Sequence, residues 1–129
     1  MLQGVYIVNH AGETQAAINM GEFTVDEVLF GGFLSAIQMY TQQMSGTDLE
    51  ELSLDKFRML MSRTENSFVV SVHDRDDEDA ADLNRKVKAI LDNGMDGIIT
   101  EDTIEMIREV ARRAAGAGER AGEWASKML

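Results

Sequence analysis

The chain has 129 residues, no cysteine and no proline, and sets 12 Lys and Arg against 23 Asp and Glu for a net charge of −11. That length suits one domain with a core of its own, unstapled by cross-links. Lack of cysteine excludes disulfides, thiolate metal sites and thiol nucleophiles, and the negative field disfavours nucleic acid and anionic membrane surfaces as partners.

The opening MLQGVYIVNH has no basic segment ahead of its apolar run. The run is shorter than a signal-peptide core and far short of the roughly 20 residues that span a bilayer, so a cytoplasmic protein without membrane insertion is expected. Within it, residues 2–9 combine β-branched and aromatic residues as a strand does; HAGE turns at Gly12, and TQAAINM reads as a weaker second strand of the same hairpin. Thr24 and Glu27 have the spacing of a capping box, which predicts a helix from that point. Val25, Val28, Leu29, Gly32, Phe33, Ala36, Ile37, Tyr40 and Met44 then follow the i, i+3, i+4, i+7 rule, and Gly46 stands at the C-cap. With Asp26, Glu27, Gln38, Gln42 and Gln43 on the far side, this stripe is expected to lie on a sheet, with Gly32 letting the two backbones approach.

The middle of the chain changes to period two. Phe57, Met59 and Met61 alternate with Arg58, Leu60 and Ser62; TENS turns; Phe68, Val70 and Val72 alternate with Val69, Ser71 and His73. LEELSL ahead of this hairpin supplies a further strand, giving five in an antiparallel sheet. A second helix is expected from about Asp77 to Asn93, with Ala80, Leu83, Val87, Ile90 and Leu91 inward and Asn93-Gly94 as its stop. The last begins near Thr100 and turns Ile104, Ile107, Val110, Ala111 and Ala114 to one side, weakening at Gly116, Gly118 and Gly122, each costing about 1 kcal/mol relative to Ala. The order ββαβββαα describes an α+β fold with helices packed on the sheet.

This element order, together with GVYIVNHAGE, VLFGGFLSAIQMY and FRMLMSRTENSFVVSVHD, resembles the longin-type (profilin-like, SNARE-like) domains related to the roadblock group, particularly their small stand-alone archaeal versions. The resemblance covers residues 2–93, and GGFLSAI after a β-hairpin is its most specific part. It implies a single domain over 1–129, with 100–129 as a C-terminal helix or an extension. It also implies a non-enzymatic platform that binds small GTPases, their regulators or further longin- and roadblock-type proteins, and that forms homodimers through a helix or a sheet edge. No ligand-binding residues carry over from it.

Chemical motifs are sparse. HDRDDEDAAD places Asp74, Asp76 and Glu78 as in a calcium loop, but Asp79 stands where the loop needs glycine and Arg85 where it needs glutamate. Acids ahead of a helix complement its dipole, which accounts for the run without an ion. His10 and His73 fall at strand ends, where exposed imidazoles are expected; a shared metal or proton would need those strands to be neighbours. No serine lies in a G-x-S-x-G elbow, and no glycine-rich loop carries the lysine of a phosphate cradle, so neither a hydrolase nor a nucleotide cofactor is indicated. Arg108, Arg112 and Arg113 interleave with Glu105 and Glu109 as a solvated helix face.

Met39, Met44, Met59 and Met61 suit a core, yet flexible thioethers also suit adaptable partner surfaces. Met39 and Met44, with Trp124 and Met128 on the last helix, are the candidate interaction residues; no catalytic, cofactor or metal residue is assigned. The leading expectation is therefore a protein-binding module, and the alternative is a sensory domain holding a small molecule between sheet and helix.

Overall fold

The computed structural model describes residues 1–94 and 99–128, with side chains of the last helix described as far as Ala115. The elements are β1 (Leu2–Asn9), β2 (Thr14–Asn19), α1 (Glu27–Ser45), β3 (Glu51–Ser53), β4 (Phe57–Arg63), β5 (Ser67–Asp74), α2 (Ala80–Asp92) and α3 (Glu101–Met128). The strands form one antiparallel sheet in the order β2-β1-β5-β4-β3. The α+β order ββαβββαα is the one expected from the sequence.

Both faces of the sheet are covered. Tyr6, Val8, Met59, Met61, Phe68, Val70 and Val72 meet Phe30 and Leu34 of α1 on one side. Val5, Ile7, Ile18 and Val69 meet Leu83 and Val87 of α2 and Ile107 and Ala111 of α3 on the other. Double cover explains why the central strands β1 and β5 are buried along almost their whole length, whereas strands with one wet face alternate. A register shift between Leu2 and Gly4 brings Leu2 onto the same side as Val5. Each fully buried aliphatic side chain here contributes about 1.5–3 kcal/mol of transfer free energy.

Three expectations are corrected at α1. The N-cap is Asp26, not Thr24: its carboxylate accepts from the N–H groups of Val28 and Leu29, both at 3.0 Å. The buried residues are Phe30, Gly31, Leu34 and Gln38, so most of the long apolar stripe read from the sequence points outward. The glycine at the close approach is accordingly Gly31, not Gly32. A Cβ on Gly31 would fall well inside van der Waals distance of the Gly12 carbonyl oxygen, while nothing lies within 4 Å of one on Gly32. Gly46, with φ 72°, ends the helix as expected.

Elsewhere the boundaries shift modestly. α2 starts at Ala80 rather than about Asp77, with Ala80, Leu83, Asn84 and Val87 buried. Thr100 precedes α3, and its Oγ1 accepts from the Thr103 N–H at 3.2 Å. Ile107 and Ala111 are buried, Ile104 and Val110 half-buried, but Ala114 is exposed.

Candidate functional site

α1 divides into two unlike faces. On the inner face Gln38 is buried, although its amide chemistry suggests solvent. Its Nε2 donates to the Leu49 carbonyl at 2.9 Å and its Oε1 accepts from the Leu49 N–H at 2.8 Å. A buried amide that satisfies the backbone of the segment before β3 costs little and fixes that segment against α1.

The outer face carries Val28 (82% exposed), Leu29 (73%), Phe33, Met39, Tyr40 (64%) and Met44 (71%). Gly32 and Ala36 lie exposed between them on the same helical face. From Val28 to Ser45 the sequence has no Asp, Glu, Lys, Arg or His, in a chain where 27% of residues are charged. Scattered exposed apolar residues need no explanation, whereas an uncharged apolar helix face of this length is unusual on a protein surface. Met39 and Met44 thus lie on the solvent side of α1, while Met59 and Met61 are core. Of the other two candidates, the side chains of Trp124 and Met128 lie outside the described residues.

The opposite side of the molecule is polar and closed on itself. Buried Asn84 donates to the Leu60 carbonyl and to Ser71 Oγ, each at 3.0 Å, and accepts from Ser62 Oγ. A cleft of about 430 Å³ beside this network is lined by Asp48, Glu50, Arg63, Arg85 and Lys88 among others. Its cations are engaged: Arg63 forks onto Asp48 at 2.7 and 2.8 Å, Arg85 reaches Asp82, and Lys88 reaches Asp92. Hydrogen bonding to Arg63 holds the Asp48 carboxyl down at about 2, with burial opposing.

The two histidines do not meet. β1 and β5 are neighbours, but they run antiparallel, with Asn9 opposite Ser67 at one end and Leu2 opposite His73 at the other. His10 stacks edge-on against Phe68 at 4.8 Å, whereas His73 is buried, contrary to expectation. Among the described residues, no group of three or more His, Cys, Asp or Glu is placed to hold a metal ion, and no helix is long and apolar enough to cross a membrane.

No protein-family model and no curated protein matches the sequence. Similar solved structures include Myxococcus xanthus MglB, at 14% identity and a TM-score of 0.49 over 68% of this chain and 77% of that one. A Roadblock/LC7 domain from Streptomyces avermitilis is similar at 13% identity and a TM-score of 0.49, over 70% of this chain and 85% of the other. An MglB with a tetrameric arrangement is similar at 13% identity and a TM-score of 0.45, over 88% and 79%.

Proposed function

We propose that the protein is a non-enzymatic interaction module that pairs with a second copy of itself through the outer face of α1 and presents the pair to a protein partner. The absence of charge from that face, in a chain of net −11, carries this reading. Two copies repel wherever acids meet, and α1 lets them meet without that penalty. A standard interface takes about 800 Å² from each partner, and six large side chains exposed by roughly half or more supply area of that order.

Two-fold pairing is self-complementary: where residue i faces residue j, j also faces i. With the axis at Ala36, midway between Val28 and Met44, Tyr40 of one copy lies over Gly32 of the other, Phe33 against Met39, and Val28 against Met44. Bulk then meets space. The resemblance carried by the sequence implies that the partner of the pair is a small GTPase or another longin- or roadblock-type protein, and that the pair works in the cytoplasm.

Light scattering on the purified chain tests the reading. The expected result is a dimer that Tyr40→Glu converts into a folded monomer. Ala36→Cys, the one thiol in a chain without cysteine, is expected to give a disulfide-linked pair on mild oxidation. A wild-type chain that stays monomeric at high concentration overturns the reading. Binding of GTP- or GDP-loaded small GTPases to the dimer, lost in Tyr40→Glu, supports its finer part.

A further inference from the structure

His73 is 1% exposed. The alternation of β5 turns it, with Val69 and Ser71, to the side of the sheet that α2 covers. Its Nδ1 lies 2.8 Å from Asp77 Oδ2. A carboxylate only accepts, so the neutral ring carries its proton on Nδ1 and donates it to Asp77. The other ring nitrogen, Nε2, is buried and has no hydrogen-bond partner among the described residues.

Asp77 is held by further contacts. Its Oδ1 accepts from the Asp79 N–H at 2.9 Å, and its carbonyl accepts from Arg58 Nη1 at 3.3 Å. The segment between β5 and α2 is therefore tied to β5 through His73 and to β4 through Arg58. Arg75 adds ties to the residues ahead of β4, its N–H donating to the Lys56 carbonyl at 3.1 Å and its Nη1 to the Asp55 carbonyl at 3.4 Å. The imidazole is thus the buried tie among several and, among the described residues, the one side-chain tie beyond Arg75 that reaches β5.

The charges around the ring are few and identifiable. Arg58 is its cross-strand neighbour on β4 and pairs at 2.6 Å with Glu51 of β3. The Met1 amino group lies 3.4 Å from both Asp74 and Asp77, and Asp79 stands at the start of α2. The two cations oppose a second proton on the ring, and Asp77 favours it. Burial outweighs Asp77 and holds the imidazole below its ordinary value. Burial also raises the Asp77 carboxyl, but its hydrogen bonds with His73 and the Asp79 N–H prevail and keep it ionised below its usual range.

We propose that His73 is an acid-sensitive pin: a second proton on its ring, at Nε2, releases residues 76–79 and the first turn of α2 from the end of β5 while the remaining sheet holds. The new N–H has no acceptor where it stands, and lifting the short segment toward water disturbs fewer contacts than breaking the ladder between β1 and β5. Because the closed form binds this proton less readily than the open form, the pin is fully effective above about pH 6.5. Below that, the opening constant rises by up to about tenfold per pH unit, until the closed form itself takes up the proton.

Imidazole proton NMR, combined with amide hydrogen exchange between about pH 7.5 and 5, tests the pin in a chain with two histidines. After correction for intrinsic rates, protection of residues 76–83 is expected to fall with acidification while the β1 and β5 amides keep theirs. His73→Gln is expected to remove that pH dependence. Asp77→Asn, which preserves the shape of the loop but withdraws the charge that favours the proton, is expected to carry the dependence to lower pH. A His73 ring that titrates at or above about 6.5 overturns the proposal. So does protection of 76–83 that is flat with pH, or that falls together with the whole sheet.

Discussion

Gly31 and Gly32 are neighbours in sequence and opposites in use. The first faces the β1–β2 turn, where the Gly12 carbonyl leaves no room for a methyl group; the second faces open space on the outer side of the same helix. That division extends along the whole of α1. The inner face is narrow, tightly packed and includes a polar residue, whereas the outer face is broad, apolar and uncovered. Hydrophobicity alone is therefore a poor guide to which side of α1 meets its own sheet, because the exposed side is the more apolar of the two.

Substitutions on the two faces should separate stability from assembly. Leu34→Ala removes a fully buried side chain over the sheet and is expected to cost about 2–5 kcal/mol in chemical denaturation. Gly31→Ala, which must push α1 off the Gly12 turn, is expected to cost about 1–3 kcal/mol. Gly32→Ala should do the reverse in the isolated chain, adding up to about 1 kcal/mol through helix propensity, yet weaken self-association by filling the space assigned to Tyr40. A loss of stability from Gly32→Ala equal to that from Gly31→Ala would erase the distinction between the faces.

The smallest effect lies away from α1. Asp48 is held at about 2 by Arg63, below its ordinary value, so the stability it contributes is present above about pH 3.8 and disappears as the pH falls through about 2. Arg63→Gln should flatten the acid limb of the stability profile over that window. Because both partners are partly exposed, the change at neutral pH is expected to stay below about 1 kcal/mol.

The fold was largely legible because period two in residues 57–74 has only one reading, and the strands it predicts pair as expected. What escaped the sequence at α1 has a physical cause. Val28, Leu29, Phe33, Tyr40 and Met44 outweigh Phe30, Leu34 and Ile37 in any apolar count, and Gln38 reads as a solvent residue unless the backbone it serves is known. Thr24 and Asp26 both suit an N-cap, and the hydrogen bonds to Val28 and Leu29 decide between them. His73 escaped for a similar reason: a run of acids after a strand signals solvent, but the alternation of β5 and the return of Asp77 close over it.

The edge strand β3 is three residues long and sits among Asp48, Glu50, Glu51 and Asp55. A strand so short offers few free backbone groups, and a second such edge brought alongside would set acid against acid. Open-ended stacking of sheets is disfavoured from this side of the molecule. If two copies pair through α1 as proposed, the two-fold contact closes on itself, and association is expected to end at a defined number of copies rather than grow into fibres.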